Sequence, residues 1–262
     1  MIAQLHIETA LRGNCTVLKR AFFTQPFKVA NVTEDKTGKD LRLMIMSASP
    51  GILDGDEYET EIDVAQNCSL HLQTQSYQRL YNMKVGASQK TITHVKENGS
   101  FYFIPHPVVP HEASSFFTSN KIYLEGNCTL LLGEVITCGR KESGESFLFR
   151  KYHSLTEIYL NDKLIIRENI LIQPSVINVS AIGQLEGFTH QATLIFLNEG
   201  AEVKEIIKNI SVFLEAKTDV EFGLSITPKN GLILRLLGYK AEQLFDILKS
   251  VAEKYIIPHQ TK

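Results

Sequence analysis

Three groups of residues in this 262-residue chain have types and spacings that could do chemistry. The first is Ile104-Pro105-His106-Pro107-Val108-Val109-Pro110-His111-Glu112, where two histidines and a glutamate in a proline-rich loop could ligate a transition metal. Their spacing matches no familiar ligand pattern, and polar residues are ordinary in an exposed loop. The second runs from Gly133 to Phe147: Glu134 lies in an apolar strand, and Arg140, Lys141, Glu142 and Glu145 crowd around two glycines that follow it. Burying a lone charge is costly, so Glu134 needs either a partner such as Arg140 or a water-filled interior. The third is Ser49-Pro50-Gly51-Ile52-Leu53-Asp54-Gly55-Asp56. Pro50 fixes its own backbone while Gly51 and Gly55 permit positive φ, which makes a shaped turn that delivers Asp54 and Asp56 to the mouth of the next strand. Asp54, Asp56, Glu134 and Glu145 could also act as a glycosidase acid and base, although spacing alone does not pair them.

Other chemistries have no foothold. The chain contains no G-x-S-x-G elbow, no H-E-x-x-H, no G-x-x-x-x-G-K-[ST] and no G-x-G-x-x-G between strand and helix. Cys15, Cys68, Cys128 and Cys138 show neither C-x-x-C spacing nor the density of a disulfide-stapled secreted domain, which fits a reducing compartment. The net charge of −2, from 27 basic and 29 acidic residues without a basic run, gives nucleic acid or an anionic membrane little to hold. No segment approaches a membrane span, and the alternating start Met1-Ile2-Ala3-Gln4-Leu5-His6-Ile7-Glu8 lacks the pattern of a signal peptide. The N-x-S/T triplets at Asn14, Asn31, Asn67, Asn98, Asn127, Asn178 and Asn209 therefore read as local structure, not as glycosylation sites.

The elements that must position these groups are mainly strands. Asn67-Cys68-Ser69-Leu70-His71-Leu72, Asn98-Gly99-Ser100-Phe101-Tyr102-Phe103 and Asn127-Cys128-Thr129-Leu130-Leu131-Leu132 repeat one phrase at an interval of about thirty residues. Each follows an alternating stretch, at 60–64, 91–95 and 121–124, so the unit reads strand, tight turn, strand, with Asn at a left-handed position. One unit cannot bury its apolar face alone, and neighbouring units must stack. The run Leu41 to Ser47 reads as a strand buried on both faces, and strands are also expected over Phe147 to Tyr152, 154–160, 163–167, 192–197, 221–227 and 232–237. A polar hairpin loop is expected at 34–40 and a two-residue hairpin at Asn161-Asp162. The period then changes: Val203, Ile206, Ile207, Ile210, Phe213 and Leu214 mark one amphipathic helix, and Leu244, Phe245, Leu248, Val251 and Tyr255 a second that stops before Pro258. No linker composition divides the chain, so residues 1–262 read as a single domain.

With these elements placed, the chain resembles the urease accessory protein D family, called H in some organisms. Phe23-Thr24-Gln25-Pro26-Phe27 is similar to its aromatic-x-Gln-Pro-Leu element, and Ser49-Pro50-Gly51 through Gly55-Asp56 to its Pro-Gly-Gly…Gly-Asp turn, with Ile52 replacing a glycine. Thr74-Gln75-Ser76-Tyr77-Gln78-Arg79-Leu80-Tyr81 with Ser88-Gln89 resembles its Thr-Gln…Lys-x-Tyr…Gln segment. Pro105-His106-Pro107 with Pro110 resembles its Pro-x-Pro…Pro-Phe loop, where His111 replaces an aromatic. Glu134, Gly139-Arg140 and Gly144-Glu145 with Phe147 are similar to its Glu…Gly-Arg…Gly-Glu-x-Phe signature, and Gly231 to Gly238 to its near-terminal strand.

The resemblance implies a mainly β fold, a β-helix-like stack of strands with about two helices in the C-terminal third, and a non-enzymatic cytoplasmic scaffold. It implies partners: the accessory F protein, the nickel-carrying GTPase G through F, and apo-urease. No permanent cofactor is implied. Ni²⁺ would pass through transiently, by way of weak oxygen contacts from Asp56, Glu134 and Glu145 along an internal tunnel. Arg140, Tyr77, Arg79 and Tyr81 would serve as partner-contacting or structural residues. The alternative is a β-helical carbohydrate-active enzyme, for which the aromatic platforms would have to be built without tryptophan.

Overall fold

The structure is a computed structural model that describes residues 1–257; Pro258, the expected stop of the second helix, lies outside them. Strands β1 (Ile2–Arg12), β2 (Cys15–Phe23), β5 (Glu57–Val64), β8 (Ala87–Val95), β11 (Ser115–Leu124), β13 (Lys151–Leu160) and β14 (Lys163–Ile172) form a seven-stranded sheet in the order β14-β13-β11-β8-β5-β1-β2. A second, ten-stranded sheet contains β3 (Phe27–Asn31), β4 (Asp40–Ser47), β6 (Ser69–Thr74), β9 (Ser100–Phe103), β12 (Thr129–Thr137), β15 (His190–Asn198), β16 (Val220–Thr227) and β17 (Gly231–Gly238), with the short β7 (Gln78–Leu80) and β10 (Val108–Pro110) beside its main path. Helices α1 (Val203–Glu215) and α2 (Ala241–Val251) follow in the C-terminal third, and a wider π turn, Ala252–Ile256, extends α2.

The repeated turn is an arch between the sheets. Asn67, Asn98 and Asn127 sit at φ of 59°, 57° and 56°, in the left-handed region that asparagine tolerates better than most residues. The strands flanking each turn do not pair with one another as a hairpin would: β5, β8 and β11 run parallel in one sheet, and β6, β9 and β12 run parallel in the other. The arches stack as well. The Asn67 N–H donates to the Glu97 carbonyl at 3.1 Å and the Asn98 N–H to the Gly126 carbonyl at 3.1 Å; at the end of the row, the Asn127 N–H donates to the Glu199 carboxylate at 2.9 Å. Antiparallel hairpins close the ends, including Asn161-Asp162 at positive φ between β13 and β14.

Alternation along each strand then sorts the side chains. Leu5, Ile62, Leu70, Val95, Phe101, Ile122, Leu130 and Ile158 face one another between the sheets. On the outer side of the second sheet, Leu194, Phe196, Leu232, Leu234 and Leu236 pack against Val203, Ile210 and Leu214 of α1 and Leu244, Leu248 and Val251 of α2. Each such side chain contributes roughly 1.5–3 kcal/mol on burial.

Strands under the helices are covered on both faces, as β15 shows from Ala192 to Leu197. The run expected to have that character, Leu41 to Ser47, does not: Leu41 and Leu43 are buried, Arg42 is exposed, and Met44 to Met46 are half-covered, because the helices lie over β12, β15 and β17 and leave β4 uncovered. The strand expected from Phe147 begins only at Lys151; Phe147 is at φ 57°, which breaks an extended run, and the Arg150 guanidinium donates to the carbonyls of Met83 and Lys84. Among the described residues no helix is long and apolar enough to cross a membrane.

Candidate functional site

Between the two sheets lies an internal cavity of about 320 Å³. Strand register builds its lining, parallel within the repeated rungs and antiparallel at their ends. In the seven-stranded sheet Thr60 pairs with Thr91, Thr91 with Asn120, Asn120 with Thr156 and Thr156 with Glu168, so one row across five strands presents polar groups to the interior. In the facing sheet Glu134 pairs with Thr193, and Thr193 with Arg235. The rows meet where the Arg235 guanidinium donates to the Glu168 carboxylate at 2.5 Å. Tyr58, Gln78, Gln89 and Thr118 add further polar lining, and the turn at Ser49, Pro50 and Gly51 shapes the opposite end.

The polar atoms indicate what fills this space. Thr193 Oγ1 is buried without a hydrogen-bond partner among the described residues, and a polar cavity of this size leaves room for water to reach it. The volume accommodates on the order of ten waters. Glu134 Oε1 accepts a hydrogen bond from the Tyr152 hydroxyl at 2.6 Å. Burial pushes the Glu134 carboxyl above the usual carboxylate range; the Tyr152 and Ser154 hydroxyls pull it partly back, and the Glu168 charge adds to the rise. Tyr152 is itself fully buried, and burial followed by the Glu134 charge pushes its phenol well up. Arg140 is not the partner of Glu134: it pairs with Glu145, while Glu134 is held by Tyr152 and faces the polar cavity.

A second, open space of about 700 Å³ adjoins the first and is lined by Tyr77, Arg79, Tyr81, His111, Arg140, Lys141, His190 and Lys240 among others. Tyr77 and Arg79 line both spaces, so the groove and the cavity meet at that strand. The Tyr77 hydroxyl donates to Glu242 of α2 at 2.5 Å, which ties the helix to the boundary. Gly51 is required here: a Cβ on it would fall 2.4 Å from the Arg79 carbonyl oxygen and 2.9 Å from the Tyr81 ring. The four residues singled out in sequence as partner-contacting or structural, Tyr77, Arg79, Tyr81 and Arg140, thus line one groove.

The remaining candidates fall elsewhere. Asp54 accepts from the Val85 and Gly86 N–H groups, each at 2.9 Å, and these backbone bonds hold its carboxyl low. Asp56 is buried; it accepts from the Leu53 N–H at 2.9 Å and from the Met1 ammonium at 3.1 Å. Glu145 is clasped by Arg140, whose Nε lies 2.9 Å from Oε2 and whose Nη2 meets Oε1; this pairing holds the carboxyl below its ordinary range. Neither Asp56 nor Glu145 lines the cavity that Glu134 faces. His106 lines the cavity, bonded to Thr74 and packed on Phe245 at 4.7 Å, whereas His111 lines the groove edge-on to Tyr81 at 4.8 Å; burial holds both imidazoles low. All four cysteines are free thiols.

Glu168, Thr193 and the threonine row were not visible as site residues in the sequence. A threonine at a strand position is an ordinary β-former, and only the register brings these together. The recurrence of a polar residue at the same offset before each arch was the available signal.

The sequence model of the family described as "UreD urease accessory protein" matches residues 1–259. Among known proteins the chain is similar to the urease accessory protein UreD of Flavobacterium johnsoniae, 44% identical over 99% of this chain and 94% of that one. It is also similar to the protein of that name from Acetivibrio thermocellus, 36% identical over 95% of each chain, and to that of Haemophilus influenzae strain PittGG, 33% identical over 96% of this chain and 97% of that one.

Proposed function

Because the chain belongs to the UreD urease accessory protein family, we propose that it is a maturation scaffold through whose hydrated interior Ni²⁺ passes on the way to urease. The relatives are named as accessory proteins, and the carbohydrate-active alternative falls away with that. In this reading the whole chain acts as one domain in the cytoplasm, where its four free thiols stay reduced, and its parallel rungs serve as a β-helix-like frame. The groove of Tyr77, Arg79, Tyr81 and Arg140 receives a partner: the accessory F protein, which brings the GTPase G, or apo-urease. Aromatic and arginine side chains at a concave surface suit such a contact.

One observation carries the reading: the polar cavity between the sheets is lined by an acid, Glu134, whose hydrogen bond comes from the Tyr152 hydroxyl and not from a basic side chain. Oxygen donors from Glu134, Glu168 and the threonine hydroxyls contact a divalent ion weakly enough to release it, whereas a thiolate or paired imidazoles would retain it. Asp56 and Glu145, engaged in ion pairs, hold the turns near the ends of the route and contact the ion as it enters or leaves. The test is E134Q, coexpressed with urease and the accessory F and G proteins. Co-elution with F on size exclusion is expected to persist while nickel content and activity of the urease fall. Full activation by that variant would refute the passage, and failure of the unsubstituted chain to co-elute with F would refute the scaffold.

A further inference from the structure

We propose that the outer face of the seven-stranded sheet carries a divalent-metal site, formed by His6, Glu61 and Asp63, that takes one ion of the Ni²⁺, Zn²⁺ or Co²⁺ class. Strands β1 and β5 run parallel with His6 opposite Glu61 and Glu8 opposite Asp63, so these side chains share one face. One donor atom from each of His6, Glu61 and Asp63 lies within 4.8 Å of the other two. His6 Nε2 is 2.8 Å from Asp63 Oδ2. Two donors bound to one ion at about 2.1 Å stand roughly 3 Å apart, so small shifts would admit the ion between them.

Charge favours occupancy. With His6 as a neutral ligand, Glu61 and Asp63 supply two negative charges, which a divalent ion cancels. Glu8, on the same face, is engaged by Lys19 at 2.9 Å and Arg20 at 3.6 Å, and its Oε1 stands 3.6 Å from His6 Nε2, farther than Asp63. Glu61, by contrast, has no hydrogen-bond or ion-pair partner among the described residues, although Glu59 and Asp63 stand two positions away along the same face of the strand. Like charges so placed repel, and a bound cation removes that cost. The side chains of His6 and Asp63 are 22% and 38% exposed, which leaves the ion a path from solvent.

His94 of β8 pairs with Asp63 on the same face, but its ring stacks on Tyr123 at 5.1 Å and it stands outside the three-residue group. An imidazole beside carboxylates selects the borderline transition ions over Ca²⁺ and Mg²⁺, which prefer oxygen alone. The site lies outside the sheet sandwich and does not communicate with the cavity, so it stands whether or not Ni²⁺ travels past Glu134.

The test uses the full chain dialysed against Ni²⁺ alone, with bound metal counted by mass spectrometry. H6A and D63N are each expected to lose one equivalent or to bind it more than about tenfold more weakly. E134Q is expected to retain that equivalent, and excess Ca²⁺ not to displace it. In the unsubstituted protein, where folding is not in question, Ni²⁺ should slow acylation of His6 by diethyl pyrocarbonate, read on the Met1–Arg12 peptide. Unchanged stoichiometry and affinity in H6A and D63N, or unprotected His6, would overturn the site.

Discussion

Replacing Glu134 by glutamine keeps the acceptor for the Tyr152 hydroxyl and removes only the titration, so it isolates the charge inside the cavity. The folded carboxyl titrates above its ordinary value of 4.5, with burial as the leading cause. Above pH 4.5 the folded chain therefore retains a proton that the unfolded chain has released, and stability declines as pH rises toward the raised folded value. One proton sets the upper limit of the slope at about 1.4 kcal/mol per pH unit. For a chain of this size that corresponds to roughly 3–6 °C in Tm per unit. Circular dichroism melts of both proteins from acid to neutral pH should show the wild-type Tm falling relative to E134Q across this window. Tyr152→Phe, which withdraws a donor from the carboxylate, should extend the window upward. Parallel curves for wild type and E134Q, or a wild type that gains on the variant as pH rises, would refute the assignment. Metal binding to such a carboxyl displaces its proton, so under the proposed function activation of urease should also slow in acid.

The arches make a second expectation. A Cβ on Gly99 would lie 2.6 Å from the Lys96 carbonyl oxygen and 2.8 Å from a Val95 methyl, whereas one on Gly126 meets nothing within 4 Å; in urea titrations Gly99→Ala should cost about 1–3 kcal/mol and Gly126→Ala should stay within about 0.5 kcal/mol of wild type. His190 provides a counterweight to Glu134. Burial, then the Lys141 charge, lowers its imidazole from 6.5 to about 4, so the unfolded chain takes up a proton that the folded chain refuses, and stability is lost as pH falls through that interval. His190→Gln should flatten this acid limb, and a limb of unchanged steepness would assign it to other groups.

Local chemistry in the sequence reached as far as single elements. The left-handed asparagines, the two amphipathic helices and the unusual acid in an apolar strand were each legible because their causes lie within a few residues. What joined the elements was not. Asn67 marks a turn equally well for a hairpin and for an arch between sheets, and only long-range parallel pairing decides between them. Arg140 is nearer in sequence to Glu145 than to Glu134 and pairs with it, yet the sequence could not show that Tyr152, from another sheet, would reach Glu134 instead. Leu41 to Ser47 had the composition of a doubly covered strand, but coverage depends on where helices land, and they land on β12, β15 and β17.

Because the polar row comes from one position per rung, the cavity has a length counted in whole rungs, each about 4.8 Å wide. Insertions and deletions are consequently restricted to two kinds. Duplicating a complete unit would lengthen the cavity and add one more arch to the row that Glu199 terminates. Removing a single residue between an arch and its threonine would instead turn that strand over, sending the hydroxyl to solvent and an outward neighbour such as Glu61 or Ile92 into the interior. Among related chains, length variation should thus gather in the loops outside the rungs, such as residues 173–189, and spare the interval from each polar position to its asparagine.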